Sequence, residues 1–419
     1  MSIPVNQITN ATHARFEGIF PDTEIDNVSI DSRSLQNNSG TLFFALTGQH
    51  RDGHGYIADL IGKGVQNFVV QRIPDTTKGK ANFYIVDDTL KALQDFATWY
   101  RSRYAFPVIA ITGSSGKTNV KEWLNYLLSP DYNIIRSPKS YNSQSGVPLS
   151  VISINDRHNL GIFEAGISLP DEMDKLERII RPEIGILTNI GSAHDEGFES
   201  RQQKIREKLK LFRNVKTLIL QKNEEVENEL EFQIFTFTWS FEDGADVKIT
   251  PVSFVRSTEL KVYYKNVFSV TIPFTDAPSI ENACNCIMLM LHLGYTADVI
   301  RERMAGLYPV EMRLQVKTGI NGCTLIDDSY NNDYQSLKIA LDFLEQHKTH
   351  QNKTVILSDV FQSGFDTEVL YAKVQKLLQG NNIGRVIGIG DAIHPQLADF
   401  PGFLPFRTTQ DFLAQYNAN

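Results

Sequence analysis

Cysteine is scarce in this sequence, and so are segments that would direct a chain to or through a membrane. Only Cys284, Cys286 and Cys323 occur in 419 residues, too few for a disulfide framework. The opening MSIPVNQITN has neither the basic region nor the apolar run of a secretion signal. No apolar stretch approaches the ~20 residues that span a bilayer. We therefore expect a cytoplasmic protein that does not insert into membranes.

Metal-binding cysteine clusters are also missing. Cys284 and Cys286 lie with His292 in an apolar stretch of helical character, NACNCIMLMLHLG. Three such ligands fall short of the four that a structural zinc site uses. The pattern favours buried, inert thiols.

Positive charge is in deficit. The 41 lysines and arginines are outnumbered by 49 aspartates and glutamates, which gives a formal net charge of -8. This balance argues against general nucleic-acid binding, so any anionic ligand must be held by local groups. A hydrophobic fraction of 42% is typical of a globular chain, and the length implies two or three domains.

The order of apolar segments predicts three α/β domains, at residues 1–104, 105–308 and 309–419. In the central domain, short apolar strands alternate with helices from VIAI onward, which predicts a parallel sheet with crossover helices. Four apolar segments within 232–272 are predicted to add a small antiparallel part. The last domain is predicted to be a smaller, Rossmann-like α/β unit with aspartates near its strand ends, where such sheets bind ligands.

One segment of the central domain, ITGSSGKTNVKEWL, predicts a phosphate-binding loop of unusual spacing. The common P-loop reads G-x-x-x-x-G-K-[ST], but Ile111 stands where its first glycine belongs. The shorter T-G-x-x-G-K-T remains, between a predicted strand and a predicted helix. Backbone N–H groups and the helix N-terminus suit phosphate, Lys117 suits the β and γ phosphates, and Thr118 suits Mg²⁺. The alternative is a glycine turn with a chance lysine. The predicted nucleotide contacts are Gly113, Ser114, Ser115, Gly116, Lys117 and Thr118.

Three further segments of the central domain carry candidates, each with a plainer alternative. Glu164 ends an apolar strand and suits Mg²⁺, although it could be an ordinary strand-end glutamate. His194 follows another strand and could equally be a structural hydrogen-bonding residue. Arg201, Lys204 and Lys208 share one helix face, for which the spacing alone favours a solvated cationic surface.

The segment LIDDSYNND in the last domain could bind a nucleoside. Asp328 could accept hydrogen bonds from ribose hydroxyls, and Tyr330 could stack on a base. The alternative is an Asn/Asp-rich turn after a strand.

Taken together, these segments resemble the Mur ligase family over essentially the whole chain. Its members couple ATP to amide-bond formation in peptidoglycan precursor synthesis, and the short T-G-x-x-G-K-T loop is their signature. SIDSRSLQNNSGTLFFALTGQHRDGHGYI is similar to the amino-terminal UDP-sugar-binding domain, and SYNSQSGVPLS is similar to the loop that meets the substrate. The resemblance implies substrate contacts at Asp31, Ser32, Arg33, Asn142 and Asn331.

The same resemblance implies a catalytic site that is shared between domains. It places ATP phosphates on Lys117, and metal on Thr118, Glu164, His194 and Lys208. Two Mg²⁺ ions are expected, with Lys208 carbamylated, because a CO₂ adduct would turn a repelling ammonium into an anion with two hard oxygens. The implied catalytic groups are Lys117, His194 and Lys208, and the implied nucleotide contacts beyond the loop are Asn282, Arg313, Asp328 and Tyr330.

Within the family, DDSYN is typical of the branch that joins D-alanyl-D-alanine to UDP-N-acetylmuramoyl-tripeptide. PVEMR and LSDVFQSG resemble forms of that branch that continue into an alanine racemase domain, so we expect this sequence to be a piece of a longer protein. The Asp-Asn-Pro-Arg motif typical of the tripeptide-forming branch does not occur. The alternatives are another amide ligase of the family, tripeptide-forming or similar to folylpolyglutamate synthase, and an inactive nucleotide-binding scaffold.

Overall fold

The computed structural model describes residues 3–33, 35, 39–48, 52–191, 197–311, 314–329, 332–346, 352–360 and 366–415. Three main sheets follow one another along the chain, with five, nine and three strands. No helix within these ranges combines the length and the hydropathy needed to cross a membrane.

The first sheet is built from short, fully buried apolar strands. Its order is β2-β7-β6-β5-β4, with β4 to β7 parallel and β2 antiparallel at the edge. GTLFFAL and QNFVVQ contain the strands at Thr41–Phe44 and Asn67–Val70. A long helix begins after Asp88, whose side chain accepts hydrogen bonds from two N–H groups of the first turn. The elements are β1 Ile3–Pro4, α1 Val5–Thr12, β2 Arg15–Glu17, β3 Glu24–Ile25, β4 Asn27–Ser29, β5 Thr41–Phe44, α2 Ile57–Gly62, β6 Asn67–Val70, β7 Asn82–Ile85 and α3 Thr89–Arg101, with 3-10 turns at Gly53–Tyr56 and Asp75–Thr77.

The second sheet dominates the structure and has the order β16-β15-β14-β13-β12-β11-β8-β10-β9. Its elements are β8 Val108–Thr112, α4 Lys117–Leu128, β9 Ile134–Arg136, α5 Gly146–Ile152, β10 Leu160–Glu164, α6 Met173–Ile180, β11 Ile184–Leu187, α7 Arg201–Leu209, β12 Thr217–Gln221, α8 Glu224–Asn228, β13 Phe235–Ser240, β14 Val247–Ser253, β15 Thr258–Tyr264, β16 Asn266–Ile272, α9 Ala277–His292 and α10 Ala297–Ala305, with a 3-10 turn at Lys210–Phe212.

The prediction that residues 232–272 form only antiparallel strands is partly wrong. β13 pairs in parallel with β12, and β14 pairs in parallel with β13. Only the pairs β14–β15 and β15–β16 are antiparallel. The parallel part therefore extends two strands further than predicted. The prediction failed here because short apolar strands look alike in sequence whatever their direction.

The central strands β8 and β10 are buried along their whole length, as expected for a parallel sheet with helices on both faces. One face packs against α4 and α9 in a cluster that includes Trp123, Leu124 and Ile287. The other face packs against α5, α6 and α7, and this cluster continues into Phe96 and Tyr100 of α3. The first two sheets thus share a core through α3.

Cys284 and Cys286 are buried on α9, which agrees with the expectation of core thiols. Burial raises the pKa of both thiols.

The third part contains the parallel sheet β19-β20-β21 and a separate antiparallel pair, β17–β18. In the central part, Trp123 donates from Nε1 to the carbonyl of Tyr308 at 2.8 Å. Tyr308 lies in the segment that precedes the third part. The three sheets fall within the predicted ranges, whose exact limits at 104 and 308 stay predictions. The elements are β17 Gln315–Thr318, β18 Thr324–Asp327, α11 Tyr334–Gln346, β19 Thr354–Ser358, α12 Thr367–Gly380, β20 Arg385–Ile389, α13 Ile393–Leu397, β21 Phe403–Phe406 and α14 Thr409–Gln415, with a 3-10 turn at Ile320–Gly322.

Candidate active site

The candidate site lies where the order of the central sheet changes direction. The chain passes from β8 to β9 on one side, inserts β10 between them, and then places β11 on the other side of β8. The carboxyl ends of β8, β10 and β11 are therefore neighbours. In open α/β sheets this switch point is where ligands bind.

The loop after β8 has the shape that its glycines predict. Gly113 and Gly116 have φ angles of 147° and 81°, a region that side-chain-bearing residues seldom occupy. Both also lie against other side chains. A Cβ on Gly113 would collide with Thr188 Oγ1, and one on Gly116 with Asn282 Oδ1.

Asn189, which follows β11, fixes this loop from the neighbouring strand. Its carbonyl accepts from Ser114 N at 3.0 Å, its Oδ1 accepts from Ser115 N at 3.0 Å, and its Nδ2 donates to Ser115 Oγ at 2.8 Å. Thr188 adds a hydrogen bond from Oγ1 to the Ser115 carbonyl. Sequence reasoning missed both residues, although their place after a strand in ILTN was a usable signal.

Two lysine ammonium groups converge on Gly113. Lys117 folds back over the loop and donates from Nζ to the carbonyls of Gly113 and Ser114, at 2.8 and 3.2 Å. Lys208 Nζ reaches the Gly113 carbonyl at 3.3 Å from α7. The first N–H groups of α4 have no partners inside the helix and add partial positive charge at the same place. The arrangement suits a polyphosphate anion.

The expectation of a solvated cationic face on α7 is wrong for two of its three residues. Lys204 and Lys208 are 1% and 2% exposed, and Lys204 donates to the Gly191 carbonyl at 2.5 Å. Arg201 is partly exposed, forms an ion pair with Glu225, and donates to the Ile190 carbonyl. These side chains turn toward the sheet because the backbone carbonyls of two loops need donors there.

The candidate metal ligands Thr118 and Glu164 are in contact. Thr118 Oγ1 donates to Glu164 Oε2 at 3.0 Å and lies 2.9 Å from Ser140 Oγ. Glu164 is completely buried, and its Oε1 forms an ion pair with Lys121 Nζ at 3.0 Å. A buried, anionic pair of hard oxygens beside the phosphate loop fits Mg²⁺. Within the described ranges, no group of three or more His, Cys, Asp or Glu side chains forms a metal cage.

The remaining described candidates fall into two sets. Asn282 lies against Gly116, and the Asn142 side chain lies against Gly166, two residues beyond Glu164. Both therefore join the loop at the central site. Asp31 and Arg33 form a bidentate ion pair at the carboxyl end of β4, with Ser32 between them. Asp328 follows β18 and accepts from Leu314 N at 3.2 Å.

Four candidates lie outside the described residues: His194, Arg313, Tyr330 and Asn331. Their predicted roles stay predictions. The segment that leads to His194 is fixed up to Gly191, which exchanges two hydrogen bonds with Ser114 Oγ.

Comparison with known proteins assigns the class. The family model described as Mur ligase middle domain matches residues 111–290, and the one described as Mur ligase family, catalytic domain matches residues 24–101. The chain belongs to the Mur ligase family.

Particular relatives narrow the resemblance. The chain is 30% identical over 373 residues to UDP-N-acetylmuramoyl-tripeptide–D-alanyl-D-alanine ligase of Rickettsia prowazekii, covering 84% of this chain and 81% of that protein. The crystal structure of MurF from Acinetobacter baumannii superposes with a TM-score of 0.83 at 24% identity, over 99% of this chain and 91% of that one. The crystal structure of MurF ligase from Thermotoga maritima in complex with ADP superposes with a TM-score of 0.74 at 20% identity, over 93% of this chain and 91% of that one. These two structures share the fold.

Proposed function

We propose that this protein is an ATP-dependent ligase that joins D-alanyl-D-alanine to UDP-N-acetylmuramoyl-tripeptide, releasing ADP and phosphate. The reaction belongs to the synthesis of peptidoglycan precursors for the cell wall, and we place it in the cytoplasm, where ATP is available. The names of the sequence relatives support the substrates. The observation that carries the proposal is the loop on which Lys117 and Lys208 converge, beside the buried Glu164.

The chemistry needs ATP because a carboxylate is a poor acylating agent, whose leaving group would be oxide. Attack of the tripeptide carboxylate oxygen on the γ-phosphorus forms an acyl phosphate and releases ADP. The dipeptide amine then attacks the acyl carbon, loses a proton, and expels phosphate as the amide forms. Since little of this chemistry is covalent catalysis by the protein, positioning and charge neutralisation provide most of the rate enhancement.

The residues of the loop have separate roles in this scheme. Lys117 and the first N–H groups of α4 bind the phosphates and stabilise the negative charge on the transferring group. Gly113 and Gly116 let the loop backbone approach the phosphates, and Asn189 holds the loop in shape. Mg²⁺, when held by Thr118, Glu164 and His194, would neutralise the negative charge on the phosphate oxygens.

Two finer assignments belong to the same proposal: carbamylation of Lys208 and a second Mg²⁺. Lys208 is buried beside the loop, where an ammonium would oppose a divalent cation. Addition of CO₂ to its amine, with loss of a proton, would give a carbamate anion. A carbamate signal in ¹³C NMR after incubation with ¹³C-bicarbonate would support this assignment, and its absence from an active sample would contradict it.

The two flanking regions would supply the substrates and complete the site. We assign residues 1–104 to the UDP-sugar, with Asp31, Ser32 and Arg33 as contacts. Asn142 and Asn331 are assigned to the peptide substrates. Residues 309–419 would bring Arg313, Asp328 and Tyr330 onto the nucleotide. Closure of the two regions over the centre would exclude water and protect the acyl phosphate from hydrolysis.

Omission of each substrate in turn tests the proposal. We expect sustained phosphate release only when ATP, UDP-N-acetylmuramoyl-tripeptide and D-alanyl-D-alanine are all present, with the pentapeptide product seen by mass spectrometry. Release with a folate and glutamate instead would favour a folylpolyglutamate synthase. Release with the dipeptide precursor and a single amino acid would favour a tripeptide-forming ligase, and no release under any condition would favour an inactive scaffold.

A further inference from the structure

Lys121 is a completely buried lysine that the proposed reaction does not use. It lies on α4, one turn after Lys117, and is 0% exposed. Lysine is almost never fully buried unless its charge is compensated. Its surroundings therefore indicate what the charge is for.

The ammonium of Lys121 lies between two carboxylates and two backbone carbonyls. Nζ is 3.0 Å from Glu164 Oε1 and 3.0 Å from Glu122 Oε1. It donates to the carbonyl of Ser137 at 2.8 Å and to that of Lys139. An ammonium has three protons, so four neighbours cannot all receive one.

The two oxygens of Glu164 have different partners. Oε1 forms an ion pair with Lys121 Nζ, and Oε2 accepts from Thr118 Oγ1, the other candidate metal ligand. Burial of the carboxylate is thus compensated by a positive charge at contact distance. The ion pair also orients the carboxylate so that Oε2 lies beside Thr118.

The same ammonium holds the turn that leads to the substrate loop. Lys139 has a left-handed φ of 52°, a strained conformation for a residue with a side chain, and its carbonyl accepts from Lys121. Ser137 accepts from Glu164 N through Oγ at 3.1 Å. Ser140, which follows directly, contacts Thr118. One side chain therefore connects Glu164, the turn and the phosphate loop.

We propose that Lys121 is a positioning residue for the metal site: it fixes the Glu164 carboxylate and compensates its charge, so that the carboxylate is held beside Thr118 to bind the metal that accompanies ATP. This inference rests on the proposed nucleotide and metal function. Lys121 acts through Glu164 and need not touch the substrate.

The test measures metal binding directly on the full chain. Mn²⁺ is the probe, and its binding is measured by electron paramagnetic resonance in the presence of a non-hydrolysable ATP analogue. The affinity for the analogue alone is measured separately in EDTA. We expect Lys121→Met to weaken Mn²⁺ binding at least about tenfold and to change analogue affinity in EDTA less than about twofold. Lys91→Met, at an exposed lysine paired with Asp95, is the matched control and should change neither.

Unchanged Mn²⁺ affinity in Lys121→Met would overturn the inference. Equal losses of Mn²⁺ affinity and of analogue affinity in EDTA would also overturn it, because they would indicate a purely structural role. A wild-type protein that binds neither probe would instead overturn the proposed function, and the inference with it.

A second pair of variants covers the case in which Lys121→Met does not fold. Glu164→Gln and the double variant Lys121→Met/Glu164→Gln should bind Mn²⁺ equally within about twofold, because Lys121 acts through Glu164. The double variant should also fold when Lys121→Met does not, since it leaves no carboxylate at 164 without its cation. A double variant that also fails to fold, or that binds Mn²⁺ more weakly than Glu164→Gln, would contradict the inference.

Discussion

Thr118 Oγ1 donates a hydrogen bond to Glu164 Oε2 at 3.0 Å, although the two residues are 46 positions apart in the chain. Because the only hydroxyl proton of Thr118 is used in this bond, the contact with Ser140 at 2.9 Å must be one in which Ser140 donates. A directed chain, Ser140 to Thr118 to Glu164, therefore joins the substrate loop, the phosphate loop and the end of β10.

This chain predicts the effect of removing the Thr118 hydroxyl. Thr118→Val keeps the shape of the side chain but leaves a buried carboxylate oxygen without its donor and removes a metal ligand. We expect phosphate release to fall at least about tenfold and to require more Mg²⁺. Thr98→Val, which removes a hydroxyl bonded within α3, is the matched control. Equal Mg²⁺ dependence in wild type and Thr118→Val would contradict the assignment.

Lys117 is predicted to act on the reaction and to contribute little to the stability of the fold. Its side chain is half-buried, and its Nζ donates to carbonyls of the phosphate loop. A positioned charge at a developing anion is worth about 100-fold in rate. Lys117→Met should lower the turnover number by roughly this factor, with a melting temperature close to that of wild type. Lys63→Met, at an exposed lysine paired with Asp59, should do neither. A Lys117 variant with nearly full turnover would exclude the role.

Gly116 is predicted to be needed for nucleotide binding because it combines a positive φ with close approach to Asn282. Gly116→Ala should weaken ATP binding about tenfold or more, since the added methyl group displaces both the loop and Asn282. Gly62→Ala is the control: Gly62 ends helix α2 and has open space around its Cβ position. That variant should bind ATP normally. Calorimetry with ATP would compare the two, and equal affinities would show that the loop does not need its glycine.

The first region has a pH-dependent contact of its own. Burial works to raise the pKa of Asp52, but hydrogen bonds from His54 and Arg72 outweigh it and lower the pKa to about 2. Since this value lies below that of the unfolded chain, 3.8, the carboxylate stabilises the fold fully above about pH 4 and loses this effect as the pH falls toward 2.

Asp52→Asn should therefore destabilise the protein by about 1 kcal/mol near pH 6, a value reduced for the partial exposure of the side chain. The difference from wild type in urea unfolding should shrink as the pH is lowered below about 4. A difference that grows on acidification would show that the sign is wrong.

Local sequence patterns were sufficient for much of the fold and for the phosphate loop. The strand at 108–112 is a continuous apolar run, and the helix at 117–128 has apolar residues at helical spacing. The glycines at 113 and 116 specify the backbone that the loop adopts. The direction of β13 was not predictable in this way, because pairing partners are chosen by tertiary packing.

Contacts between distant segments were the hardest to predict. Asn189 is one amide in a short segment after a strand. That place was a signal of a site residue, but it does not indicate that the side chain will hold Ser114 and Ser115. Lys121 looks like an ordinary polar position on a helix, and Lys204 looks solvated. Both are buried because loop carbonyls, and for Lys121 also the Glu164 carboxylate, need a positive donor there. The expected racemase extension remains a prediction.

The central claim, that ATP activates a carboxylate by phosphorylating it, is tested most directly by an isotope transfer. UDP-N-acetylmuramoyl-tripeptide labelled with ¹⁸O in its terminal carboxylate is incubated with ATP and D-alanyl-D-alanine, and the released phosphate is analysed by mass spectrometry. The account predicts that one ¹⁸O atom appears in each phosphate released, because the carboxylate oxygen that attacks the γ-phosphorus leaves with it. Phosphate that carries no label while the amide product forms would contradict it.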